Sequence, residues 1–118
     1  MSQEESRFES LKLRSELIEN LAELEYHQMT LIQQKSLPLI LEGRDVVARA
    51  KTGSGKTAAF ALGALNSLDT RSLDTQALIL CPTRELANQV TEEIRRLARR
   101  IANVRVLALC GGTPTGPQ

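Results

Sequence analysis

The sequence predicts an α/β fold, a parallel sheet with crossover helices, and three observations carry that expectation. Short apolar runs at Asp45 to Ala50, Gln76 to Cys81 and Val104 to Cys110 are separated by two stretches of helical period. Strand, helix, strand, helix, strand is the order that right-handed crossovers generate. At the first strand-to-helix junction stands "AKTGSGKT", Ala50 to Thr57, a permissive loop interrupting an apolar stretch. Finally, 118 residues with 42% hydrophobic and 25% charged side chains describe one globular domain at most, with a modest core. Aromatics are only 3% and Trp is absent, so aliphatic residues must build that core.

Upstream, Leu17, Leu21 and Leu24 recur every three to four residues from Leu13, with acids between them, and predict an amphipathic helix. "YHQMT" breaks it. Thr30 stands three residues before Gln33, the spacing of a capping box, and opens a second helix. Pro38 inside that pattern is expected to kink or restart it, and Gly43 to stop it. A helix is expected from Lys56 to about Leu68, then a polar loop, "SLDTRSLDT". The second crossover helix spans Arg84 to Ala102, with Leu86, Val90, Ile94, Leu97 and Ile101 on one stripe.

Charge and cysteine usage exclude more than they assign. Net charge is +1, so no global field announces nucleic acid. Arg95, Arg96, Arg99, Arg100 and Arg105 cluster, either as a solvated helix face that complements the helix dipole or as a phosphate-attracting surface. Cys81 and Cys110 suit neither a zinc site nor a disulfide framework, and buried reduced thiols are expected. Apolar runs fall far short of the ~20 residues that span a bilayer. The N-terminus is acidic and polar with no secretory segment, which points to the cytosol.

The loop "AKTGSGKT" carries the chemistry. Gly53 and Gly55 permit backbone angles that turn successive N–H groups inward as an anion nest, with Lys51, Thr52 and Ser54 completing it. The helix beginning at Lys56 adds its positive end. Lys56 can reach β- and γ-phosphate oxygens, and the Thr57 hydroxyl can ligate Mg²⁺. The general pattern has Gly where Ala50 stands. Such a loop says nucleoside triphosphate, and the flanks must decide the reaction.

Four further pieces stand in order around it: "EYHQMTLIQ" with Phe8 seventeen positions before Glu25, then "PTRELA" from Pro82 to Ala87, and "GG" at Gly111-Gly112. As an ordered set these resemble the first half of the first RecA-like domain of DEAD-box ATP-dependent RNA helicases. The likeness runs from Phe8 to Gln118, with a Q-motif region at 8–38 and a phosphate-loop βαβαβ segment at 45–118. The phrases "QALILCPTRELANQV" and "LCGG" look most like a bacterial, ribosomal-RNA-directed branch, whose role lies in ribosome biogenesis.

The resemblance implies ATP with Mg²⁺ as cofactors and RNA, single-stranded or a short duplex, as partner. It implies that Gln33 reads adenine. A side-chain amide can accept from adenine N6–H and donate to N7, which guanine cannot match. Gln33 also stands where it closes the capping box, and the two roles are expected in different rotamers. Tyr26 would stack on the base with Phe8 in support, or either ring is simple core. Glu25, Met29 and Leu31 replace the Gly, Pro and Pro common in this motif, which bears on loop shape. Pro82 ends a strand, Thr83 can cap the next helix, and Arg84 can fork onto a phosphate. By resemblance that phosphate is RNA backbone, with Gly111 and Gly112 beside it; without it, these pieces read as a cap and a turn.

The acidic strand motif of that family, its Ser-Ala-Thr motif and its second RecA-like domain do not occur in these 118 residues. The chain is therefore expected to be a fragment that cradles nucleotide without turning it over, and to self-associate through uncovered apolar faces. A phosphotransferase fragment is the reading that "PTRELA" with Gln33 argues against. A stand-alone nucleotide- or RNA-binding module without turnover stays open.

Overall fold

The computed structural model describes residues 6–109. A single 3-10 turn, Phe8–Ser10, is tied to the later chain by an antiparallel bridge between Arg7 and Gln28. Four helices follow: α1 (Ser15–Glu23), α2 (Leu31–Leu41), α3 (Lys56–Asn66) and α4 (Arg84–Leu97). α3 packs against both α2 and α4, and α1 rests on α4. Leu17, Leu21, Leu37, Leu62 and Leu97 are fully buried where they meet. At roughly 1.5–3 kcal/mol for each such side chain, this aliphatic cluster is the main favourable term.

Each helix end has a local cause. α1 closes in a Schellman arrangement: Tyr26 N–H donates to Leu21 O at 2.9 Å and Glu25 N–H to Ala22 O at 3.1 Å. Glu25 holds the left-handed position, φ 62°. α2 opens on the expected capping box and closes the same way, with Gly43 at φ 84° and Arg44 N–H on Leu39 O at 3.1 Å. Of the kink or restart expected at Pro38, the restart does not occur: α2 runs through the proline as one helix. Pro38 lies on the exposed side, so the Gln34 carbonyl it cannot serve is on the side nearer water, while Leu37 beside it is buried.

Small side chains bring α3 close to α2. Ala58, Ala59, Ala61 and Gly63 are all buried, and a Cβ on Gly63 would lie 2.2 Å from Ile40 Cγ2. α4 ends at Leu97 rather than at the expected Ala102. Asn20, fully buried on α1, donates Nδ2 to the carbonyls of Arg96 at 2.7 Å and Leu97 at 3.0 Å. A side chain from another helix thus serves carbonyls that a helix end leaves without partners.

The three apolar runs form no strand ladder among the described residues. Cys110, the expected end of the third, lies outside them. A ladder is a row of paired backbone hydrogen bonds, and the described segments form none along these runs. The second and third runs are nevertheless two-sided. Ile79, Cys81, Val104 and Val106 pack against the helical core, whereas Val47, Leu78, Leu80, Leu107 and Leu109 are exposed. Among the described residues no helix is long and apolar enough to cross a membrane.

Candidate nucleotide site

The phosphate loop has the geometry its glycines allow. Ser54 N–H closes a turn on Lys51 O at 3.1 Å, between Gly53 at φ 83° and Gly55 at φ 94°. Gly55 is the N-cap of α3, so Lys56 and Thr57 form its first turn. Lys51, Thr52, Gly53 and Lys56 are exposed, whereas Ala50, Ser54, Gly55 and Thr57 are half-buried. Ser54 Oγ is buried and without a protein partner, a donor left over at the centre of an anion nest. That set fits a polyphosphate. Lys56 also borders a cleft of about 420 Å³ between α2, α3 and residues 44–48. Ile32, Ile40, Val46 and Phe60 in its wall offer phosphate nothing to bond.

Gln33 joins this loop to α2. Its Oε1 accepts from Thr30 N–H at 2.9 Å and its Nε2 donates to Gly55 O at 3.1 Å. The N-terminal ends of α2 and α3 therefore meet at Gly55, and both helix dipoles present their positive ends there. The packing is tight, since a Cβ on Gly55 would lie 2.5 Å from Gln33 Nε2 and 2.8 Å from Thr30 Oγ1. Gly55 is thus required by space as well as by φ, while Gly53 has nothing within 4 Å of its Cβ position. A primary amide has two donors and two lone pairs. Each end of Gln33 spends one on the protein, and in this capping rotamer the side chain is buried, 5% exposed.

Tyr26 is half-buried against the core, which includes Phe8. Its ring lies under the Arg96 guanidinium of α4, with Cζ 5.9 Å from the ring centroid. Arg96 is a residue the motif reading does not supply, because the contact joins positions seventy residues apart. Of the three departures in this motif, Met29 is buried in the core, Leu31 is exposed, and Glu25 keeps the left-handed turn that Gly favours. The turn at Glu25 is thus made at some backbone strain.

At the other junction, Thr83 Oγ1 accepts from Leu86 N–H at 3.1 Å, the expected cap. Arg84 opens α4 and is exposed, with Pro82 exposed just before it. Gly111 and Gly112 lie outside the described residues. Most of the arginine cluster is internally paired. Arg95 bonds Glu92 and the Val106 carbonyl, Arg96 pairs with Glu93, Arg99 with Glu23, and Arg100 with Glu19 and Glu23. The first two ion pairs lie within α4, while those of Arg99 and Arg100 tie the segment after it to α1, and together they favour the solvated-face reading of the cluster. No grouping of three or more His, Cys, Asp or Glu that would hold a metal occurs among the described residues.

Comparison with known proteins agrees with this geometry. A family model described as DEAD/DEAH box helicase matches residues 30–118. The chain is 60% identical over 99 residues to ATP-dependent RNA helicase DbpA of Escherichia coli, covering 84% of this chain and 22% of that protein. A crystal structure of a DEAD box protein from Methanococcus jannaschii superposes with a TM-score of 0.80 at 34% identity, covering 94% of this chain and 30% of that one. Dbp5 of S. cerevisiae, bound to RNA and ADP BeF3, superposes at 0.76 with 33% identity, over 80% and 25%. The chain thus spans less than a third of each. The α/β, RecA-like class expected from strand and helix order holds, and the chain belongs to the DEAD/DEAH box helicase family.

Proposed function

We propose that this chain is the nucleotide-cradling, N-terminal part of the first RecA-like domain of an ATP-dependent RNA helicase. The observation that carries the reading is the Gln33 Nε2 to Gly55 O bond, which ties a base-reading amide to the N-terminus of the phosphate-loop helix. Lys56 neutralises the β- and γ-phosphates, while Gly53, Ser54 and Gly55 give N–H groups to their oxygens, flanked by Ala50, Lys51 and Thr52. Mg²⁺, held by the Thr57 hydroxyl and the nucleotide's own oxygens, would spread the charge of the transferring phosphoryl group. Gln33 uses its remaining donor and lone pair on adenine, and Tyr26 offers its ring for stacking.

Pro82, Thr83 and Arg84 face RNA, and by the resemblance Gly111 and Gly112 contact it too. The whole protein would part short duplexes by bending a strand between two such domains. By the resemblance read in the sequence, the target would be ribosomal RNA and the compartment the cytoplasm. The exposed face of Val47, Leu78, Leu80, Leu107 and Leu109 supports self-association of the chain when it stands alone.

In the full-length protein, Lys56→Ala should abolish RNA-stimulated ATP hydrolysis. Gln33→Ala should weaken ATP binding by about 1–3 kcal/mol, the range for a lost bidentate base contact, and narrow the preference over GTP. Unchanged nucleotide preference in Gln33→Ala would leave Gln33 a capping residue and remove the base-reading half of the proposal. RNA-stimulated turnover by residues 1–118 alone would overturn the reading of this chain as a cradle without its water-activating groups.

A further inference from the structure

Tyr26 is fixed from two directions. Its backbone is locked by the Schellman closure of α1, through the bond to Leu21 O at 2.9 Å and the left-handed Glu25 before it. Its ring is met by a cation from another helix, Arg96, 5.9 Å from the centroid. Arg96 is itself held at both ends. Its carbonyl receives the buried Asn20 amide at 2.7 Å, and its guanidinium pairs with Glu93, a side chain only 18% exposed. The neighbouring arginines are committed elsewhere: Arg95 to Glu92 and the Val106 carbonyl, Arg99 and Arg100 to the acids of α1. Arg96 alone among them is described over an aromatic face.

We infer that Arg96 is a positioning residue of the base site. It holds the plane of Tyr26 by a cation–π contact so that the opposite face is presented to adenine. A flat ring has two faces. A planar guanidinium over one leaves the other as the surface on which a second planar group stacks. The contact also stops the ring from rotating into the core packing beside it, so the platform is set before nucleotide arrives. This rests on the base-site reading of Tyr26 given above, and it adds a residue from α4 to a site otherwise built by the segment before α2 and by the phosphate loop.

The test is a double-mutant cycle in the full-length protein, reading ADP dissociation constants, ATP KM and kcat, and binding of inorganic tripolyphosphate. Tyr26→Leu should weaken ADP at least fivefold, as loss of base stacking does. Arg96→Ala should weaken ADP and raise ATP KM about two- to fivefold, leaving kcat within twofold and tripolyphosphate binding unchanged. In the Tyr26→Leu background, Arg96→Ala should have no further effect on ADP. Arg96→Lys keeps the charge without the plane and should fall between, and it serves as the folded control if Arg96→Ala loses helical signal.

If Tyr26→Leu weakens ADP and both Arg96 variants leave it unchanged, or if the Arg96 loss persists without the ring, the positioning role is refuted and the base site survives. If Tyr26→Leu itself leaves ADP affinity unchanged, the base-site reading falls and takes this inference with it. A parallel loss of tripolyphosphate affinity would mark Arg96 as a general support of α4 and overturn the proposal.

Discussion

Replacing Gly55 by alanine tests the meeting of two helix ends directly. The new Cβ would lie 2.5 Å from Gln33 Nε2, 2.8 Å from Thr30 Oγ1 and 3.1 Å from Gln33 Cδ, at a residue whose φ is 94°. The left-handed backbone alone costs an L residue roughly 1–2 kcal/mol. Relieving the contact requires moving the Gln33 amide, which breaks its bonds to Thr30 N–H and Gly55 O. At about 0.5–1.5 kcal/mol for each bond, Gly55→Ala should cost about 2–5 kcal/mol in all. Gln33→Ala removes the same two bonds without strain and should cost about 1–3 kcal/mol. The two effects overlap. Once Gln33 is truncated, alanine at position 55 should add less than beside the intact side chain: the backbone strain, about 1–2 kcal/mol, and the remaining 2.8 Å approach to Thr30 Oγ1. Urea unfolding followed by far-ultraviolet circular dichroism, with equal m-values across the four proteins, measures the cycle. Additivity within about 0.5 kcal/mol would show that Gln33 does not set the space at Gly55, and that conformation and the Thr30 hydroxyl demand glycine there.

Three further outcomes follow from individual residues. Glu25→Gly should stabilise the chain by about 0.5–1 kcal/mol, since relief of the left-handed cost exceeds the added entropy of glycine in the unfolded chain; a lower urea midpoint would contradict the turn assigned to Glu25. Asn20→Asp should destabilise more than Asn20→Ala, because a carboxylate would face the Arg96 and Leu97 carbonyls at the negative end of α4; the reverse order in thermal unfolding would refute that geometry. The Asp69 carboxyl is held below the ordinary value of 3.8 by the Arg71 side chain first and then the Arg71 N–H. A depressed folded pKa contributes stability above the ordinary value that is lost as pH falls through the folded one. The Arg71 amide resonance should therefore move at a pH below 3.8, and a midpoint above it would exclude the bond.

What the sequence made legible at this site was local. Thr30 and Gln33, three residues apart, announce a capping box, Gly43 a helix stop and Thr83 a helix start, because each depends on bonds within one turn of chain. Pro38 does not restart the helix, one of the two outcomes expected of it, because the cost of the missing hydrogen bond is set by its surroundings and Pro38 lies on the exposed side. The end of α4 was misplaced because Ile101 stays buried, keeping the apolar stripe in register after the helix has stopped. The donor that receives the last carbonyls, Asn20, stands seventy-six residues before Arg96. Sheet pairing was the least legible. An apolar run shows that a segment is suited to burial and says nothing of which segment lies beside it.

The site itself is an assembly of helix ends, and that explains why few residues describe it. Tyr26 is the second residue past the closing cap of α1, Gln33 closes the opening box of α2, and Gly55 is the cap of α3. Helix ends carry the backbone groups that no helix can satisfy internally, so residues placed to serve them also stand where a polar ligand gains most. Gln33 illustrates the consequence. Its amide binds Thr30 N–H and Gly55 O while one donor and one lone pair remain. Under the proposed base-reading role, a base meeting that amide would find it already oriented by the Gly55 carbonyl at the start of the phosphate-loop helix. Substituting a glutamate would keep the acceptor for Thr30 but place a repelling oxygen against Gly55 O, so cap and coupling are separable in principle at a single atom, Nε2.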